Sequence, residues 1–367
     1  MASGDMLTYN VMAGHLEAVV HGHKDAFLRS DEYNNLAQCD SLADLKSQLQ
    51  VTAYGNFLQN AGDAAALTSR IIRDKAIDKL TNEFLELRGW ADPSLAKFLD
   101  FLQYEYMIQN VLKLVAGARG SGGAGGSLEL LYRCHPLGLF PGIAALTAAS
   151  GVDEMFETVL IDSPIGRFFK APGSSTGKRD FDELSIEYIR GVLHKNYLDA
   201  FHQYCIDELG GETAIVMDRV LTFEADRLVI TVAANTCGMK DLHPADRRKL
   251  FPNFGTLTAI HDELSSVDTL EMLAERLKGS FPEFAEMFDD TRGGAGMGGG
   301  KTLEKKFQEK AVDVYRDSMT RQFQFGVFYG WIKLKELEVQ NLMWISECIT
   351  QHMKTRVHEY VNIVPSA

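Results

Sequence analysis

Four short constellations carry residue types that could do chemistry. Ala295 to Thr302 reads A-G-M-G-G-G-K-T, a relaxed phosphate-loop pattern with alanine in place of the first glycine. A working phosphate loop takes a buried β-strand before it, so that backbone amides and the following helix start converge on the phosphates. Here Phe284–Asp290 reads instead as a helix end and an acidic turn. No later apolar strand ending in aspartate supplies a magnesium-side partner. Gly173-Ser174-Ser175-Thr176-Gly177 matches the nucleophile elbow, which requires a strand-to-helix turn at the top of a parallel sheet. Its flanks, Phe168–Pro172 and Lys178–Asp180, offer no strand, and a polar loop is the expectation.

His21-Gly22-His23 has the ligand type for a metal, but no Cys or carboxylate at ligand-like spacing completes four-coordination. Surface or capping histidines are expected. Cys134-His135-Pro136 pairs a thiol with an imidazole, which can make a reactive cysteine. Pro136 and Pro141 point rather to a rigid turn around a small buried thiol. No dense carboxylate pair stands in a setting that would shift a pKa. The expectation is no catalytic residue, no metal centre and no cofactor site.

The elements that would position these residues are helical. In Asp74–Val115, the apolar positions Ile77, Leu80, Phe84, Leu87, Phe98, Leu102 and Tyr106 recur at three- and four-residue steps. Phe181–Leu209 does the same through Leu184, Ile189, Leu193, Tyr197, Phe201 and Tyr204. Thr302–Val357 is free of proline and, as one helix, would run roughly 80 Å at about 1.5 Å per residue, bent at Gly326 or Gly330. The best strand signal, Leu228–Ala233, cannot be told from buried helix by pattern alone. The fold class is therefore all-α. Gly117–Ser127, Pro172–Lys178 and Gly293–Gly300 read as loops between helices.

An internal repeat is visible. Leu45, Leu49, Tyr54 and Phe57-Leu58 are echoed by Met155, Val159, Pro164 and Phe168-Phe169, and more loosely from Leu270 to Phe281 and Phe284. Glu105…Asn110-Val111-Leu112 is echoed by Glu336…Asn341-Leu342-Met343, with a degenerate copy from Glu224. One body over 1–367 with approximate helical repeats 1–120, 121–240 and 241–367 is expected, of pseudo-threefold character. Its terminal helices would pack together. In the last helix, aromatics crowd Phe325–Trp331 while Lys333, Lys335, Glu336 and Glu338 begin a polar face. Leu342, Ile345 and Ile349 continue an apolar stripe that closes the core, and any exposed part of it is a helix-on-helix partner surface.

Composition bounds the function. A formal charge of −13 argues against a nucleic-acid partner, which needs a basic stripe, and against direct docking on anionic lipid. Residues 261–290 carry nine acids against Arg276 and Lys278, a charge that can steer a protein partner. Five scattered cysteines without a C-x-x-C pair suit a reducing compartment. No stretch reaches the roughly 18 apolar residues of a membrane span, and Met1–Asp5 lacks the flank of a secretory signal.

Read in order, a set of words spanning Tyr9 to Ile363 resembles the vacuolar-type proton ATPase subunit d family, itself related to a counterpart in the archaeal and bacterial A-type ATPases. They are Tyr54-Gly55-Asn56-Phe57-Leu58, Phe98-Leu99-Asp100-Phe101, Cys134-His135-Pro136-Leu137-Gly138, Phe223-Glu224-Ala225-Asp226-Arg227 and Lys249-Leu250-Phe251-Pro252. The strongest is Phe325-Gly326-Val327-Phe328-Tyr329 running into Lys333-Leu334-Lys335-Glu336, and Trp344–Ile349 closes the set. The resemblance implies a funnel-shaped bundle of three related helical units on the cytosolic end of a proteolipid c-ring. Its open face would receive the central-stalk subunits D and F, and it would turn with the rotor. The implied place is the cytosolic face of acidic organelle membranes (vacuole, lysosome, endosome, Golgi), held by protein contacts alone. The glycine-rich tracts depart from the family pattern as local loop variation. Cys39 and Cys348 fall in family-like words near the two ends and would be close enough to bridge under oxidation if those ends pack together. The residues taken alone leave two other readings open: an unrelated helical adaptor, and a nucleotide-binding enzyme built on Lys301-Thr302.

Overall fold

Hydroxyl side chains start many of the helices. Ser41, Thr68, Thr269 and Thr302 each accept a bond from the backbone N–H three residues on, at 3.1–3.3 Å, satisfying a donor that the first helical turn leaves open. The computed structural model describes residues 6–58, 67–120, 127–147, 163–169, 186–239, 242–288 and 302–364. Among these there are helices and turns and no strand. Leu228–Ala233, the best strand signal, lies inside helix Gly211–Asn235. The elbow-like segment 173–177 and the glycine-rich run up to Lys301 lie outside the described residues, as do Met155 and Val159 of the repeat. Of the tract 117–127, Gly117–Gly120 is the end of helix Pro93–Gly120 rather than loop.

The chain divides into two units. The first comprises Met1–Lys97, Leu209–Val216 and Lys301–Ala367, and the second Phe98–Glu208 and Met217–Gly300. Helices Pro93–Gly120 and Gly211–Asn235 contribute residues to both.

In the first unit, helix Gly326–Thr350 packs against Ser69–Trp90, Leu303–Ser318 and Gly14–Asp25. The periodic run Asp74–Val115 is two helices, parted at Ala91-Asp92. Pro93 denies the residue before it the helical region, and Asp92 accepts from Ser94 N at 2.9 Å. The long run Thr302–Val357 is likewise two helices, Leu303–Ser318 and Gly326–Thr350, and it ends at Thr350. The break spans Met319–Phe325 rather than falling at Gly330. Gly330 has a packing role instead: a Cβ there would lie 2.3 Å from Ser318 Oγ and 2.5 Å from Tyr315 O. Only glycine lets the two helices approach so closely.

The second unit is built on aromatic stacking. Phe101 lies flat on Phe201 and on Tyr204, with centroids 4.9 and 4.8 Å apart. The Arg167 guanidinium sits 4.8–5.0 Å from the rings of Phe101, Tyr104 and Phe168, a cation–π arrangement. Arg247, 2% exposed, is spent on three carbonyls, donating to Ser265 O at 3.0 Å, Val267 O at 2.5 Å and Thr236 O at 3.0 Å. Asp226 accepts from Leu257 N at 3.0 Å and Thr256 N at 3.2 Å, fixing the turn that Gly255 opens at φ 121°.

Candidate functional site

Helix Gly326–Thr350 carries most of the residues singled out in the sequence. Phe325, Gly326, Phe328 and Tyr329 are all buried, as a helix end that is apolar on every side must be. The polar face expected next does not face solvent. Lys333 is 7% exposed, Lys335 1% and Glu338 0%, and Glu336 is half-buried. Burial is tolerated because the charges meet. Lys333 Nζ donates to Glu336 Oε2 at 3.1 Å and Lys335 Nζ to Glu338 Oε1 at 2.6 Å. Buried charges persist only when paired and hydrogen-bonded.

The Glu338 carboxylate has further donors. Tyr54 O–H reaches Oε1 and Leu28 N–H reaches Oε2, both at 2.7 Å. The Lys335 ammonium lies 4.9 Å from the Phe27 ring and 5.0 Å from that of Tyr54. On the opposite helix Lys79 pairs with Glu83 and lies 5.5 Å from the Tyr54 ring. Burial, with Lys335 beside it, holds the Lys79 ammonium below its usual range. Burial and the Glu338 charge push the Tyr54 hydroxyl well above the phenol range, so it remains a donor. Farther along, Asn341 exchanges bonds with Val361, donating to its carbonyl at 2.7 Å and accepting from its N–H at 2.9 Å. That ties the tail back onto the helix.

The structure separates the two histidines of His21-Gly22-His23. His21 Nε2 lies 3.9 Å from Glu17, whereas His23 stacks on Trp331 and sets Nδ1 3.6 Å from Glu83. Among the described residues no cluster of three or more His, Cys, Asp or Glu side chains is arranged to hold a metal. Cys134-His135-Pro136 is a turn. Asn110 accepts from His135 N at 2.8 Å and donates to His135 O at 2.9 Å, and the ring stacks on Tyr106 at 4.3 Å. Burial pushes the Cys134 thiol up, the wrong direction for a nucleophilic thiolate. Of the phosphate-loop pattern only Thr302 is described, and its hydroxyl caps the next helix. The residues before the loop, Pro282–Phe288, are helical. Cys39 and Cys348 share one buried cluster with Leu36, Leu45, Leu342 and Ile345. Both are free thiols, and burial pushes both up.

Sequence reasoning missed Lys79 and Glu83 as members of this buried polar system, and Glu17 as a separate buried carboxylate. One signal was present: Glu17 is the only Asp, Glu, Lys or Arg between Asp5 and Lys24. A lone charge in an apolar helix is a candidate buried group.

The described residues thus define an all-helical protein in which a buried carboxylate, Glu338, ties its helix to the turns at Leu28 and Tyr54. Residues 16–360 match the family described as ATP synthase (C/AC39) subunit. The V-type proton ATPase subunit d of Neurospora crassa is 39% identical over 97% of this chain and 99% of that protein. Its namesake in Dictyostelium discoideum is 37% identical over 98% and 97%, and that of Saccharomyces cerevisiae 35% over 97% and 98%. The chain belongs to the V-type proton ATPase subunit d family.

Proposed function

We propose that this chain is the non-catalytic, peripheral coupling subunit of a proton-pumping rotary ATPase, seated between the central-stalk subunits D and F and the proteolipid c-ring. It passes the torque of ATP hydrolysis to the proton-carrying ring and so serves organelle acidification. The observation that carries the reading is end-to-end similarity to proteins named as subunit d of that pump. Two further features support it. No helix among the described residues is long and apolar enough to cross a membrane, which suits attachment through protein contacts at the cytosolic face. A core in which the buried Glu338 carboxylate ties its helix to the turns at Leu28 and Tyr54 suits a part that transmits force, since close-packed interiors have low compressibility. The funnel shape and the three related units 1–120, 121–240 and 241–367 belong to the same proposal.

Affinity capture of the tagged chain from detergent-solubilised membranes, read by mass spectrometry, tests it. Proteolipid, central-stalk and ATP-hydrolysing subunits should be recovered together. Recovery of none of them from membranes with an intact pump would contradict the reading. Cys39 and Cys348 remain a proposed pair that bridges under oxidation. Mild oxidation of the native protein followed by intact-mass analysis should show them protected from alkylation, and two freely alkylated thiols would end that idea.

A further inference from the structure

The bend between helices Leu303–Ser318 and Gly326–Thr350 has a backbone shape that its sequence does not favour. Met319–Phe325 reads M-T-R-Q-F-Q-F, with no glycine and no asparagine. Phe323 nonetheless sits at φ 60°. In this left-handed region the Cβ of an L-residue crowds the following carbonyl, and a bulky side chain there is a true outlier. Such strain persists only where the surroundings over-determine it.

The surroundings do so through bonds from outside the bend. Glu17, 6% exposed, accepts from Phe323 N with both carboxylate oxygens, at 3.1 and 3.3 Å. Tyr9 O–H donates to Gln324 O at 3.1 Å, and its ring meets Phe323 edge-on at 6.1 Å and Phe325 at 5.6 Å. Phe325 N donates to Thr213 Oγ1 at 3.1 Å. Gln324, fully buried, turns its amide inward to Ser318 O at 2.7 Å and Arg321 O at 3.0 Å, while its own Oε1 has no partner. Of these hydrogen bonds, those to Glu17 are made by the strained residue itself.

We propose that Met319–Phe325 is a strained joint latched by Glu17. Shut, Phe323 is held left-handed and the two long helices are locked together. Open, Phe323 relaxes to an ordinary conformation, its N–H leaves Glu17, and helix Leu303–Ser318 pivots against Gly326–Thr350. The device gives an otherwise stiff unit one compliant point, placed where the amino-terminal helices and residues 209–216 converge on the carboxy-terminal pair. It is independent of the proposed place in the pump.

Hydrogen exchange on the full-length chain, resolved to the bend, tests this. In the unaltered protein the amides of 323–325 should exchange faster than those of Trp331–Ile345, because a local opening exposes them before the core unfolds. Phe323→Gly and Phe323→Ala both lose the ring contact with Tyr9, but only glycine removes the left-handed penalty, so the bend of Phe323→Gly should exchange roughly tenfold more slowly than that of Phe323→Ala. Glu17→Gln, which removes the charge on the latch, should speed it roughly tenfold without changing Trp331–Ile345. The joint is overturned if bend and core exchange at one rate in the unaltered protein. It is equally overturned if Phe323→Gly and Phe323→Ala exchange alike at the bend, since glycine needs only the backbone already present. A folded Glu17→Gln protein with an unaltered bend would also sink it.

Discussion

Glu338 is fully buried, with an ammonium, a phenol and a backbone amide all aimed at its two oxygens. The size of the desolvation penalty decides how such a group behaves. Removing one member of a buried pair leaves an uncompensated charge and costs about 3–5 kcal/mol, while replacing both is often nearly neutral. Lys335→Met and Glu338→Gln should therefore each lower stability by about that amount. The double variant should be more stable than either single one, because it leaves no uncompensated charge, although the glutamine's single carbonyl oxygen can replace only one of the two oxygens that Tyr54 and Leu28 donate to. Urea-unfolding midpoints of the four proteins measure this. A double variant no better than the worse single would mean that the pair carries no special coupling.

At the scale of elements, the turn Cys134–Gly138 is pinned to helix Pro93–Gly120 by Asn110 and by the His135 ring. His135 Nδ1 accepts from Leu137 N at 3.2 Å, which requires the neutral imidazole. Burial pushes its pKa down to about 4 from an ordinary 6.5. The unfolded chain then binds a proton that the folded one refuses, so stability should fall as pH drops from about 6.5 toward 4. His135→Asn keeps an acceptor for the turn and should flatten that fall. His261, also pushed down to about 4, supplies part of the remaining slope. An unchanged slope in urea unfolding across this window would contradict the assignment.

Elements of this kind were legible to very different degrees. Helical periodicity located the runs that hold helices Ser69–Trp90, Pro93–Gly120, Ile186–Tyr204, Leu303–Ser318 and Gly326–Thr350, but the break at Pro93 and the hydroxyl caps went unread. The turn at His135 was legible from its two prolines. The break at Met319–Phe325 was not, because its residues carry no turn signature and the bend is imposed by Glu17, Tyr9 and Thr213 from distant parts of the chain. The polar face at Lys333–Glu338 was misread for a related reason. A pattern of charges shows which residues are ionic, but their burial depends on partners such as Tyr54 and Leu28, which lie near the other end of the chain.

For the whole molecule, family membership rests on the order and spacing of unremarkable words along the chain, and on relatives matched end to end. Buried Glu338 binds the carboxy-terminal helix to the turns at Leu28 and Tyr54, the kind of cohesion that the proposed force-bearing role would use. The role proposed for the chain is one of coupling rather than catalysis. It is tested most directly by comparing ATP hydrolysis with ATP-driven acidification in membranes from cells depleted of this chain and then resupplied with it. Without the chain, acidification should be lost while the ATP-hydrolysing sector keeps its activity in soluble form, and resupply should restore acidification. Undiminished acidification by membranes free of the chain would contradict the account.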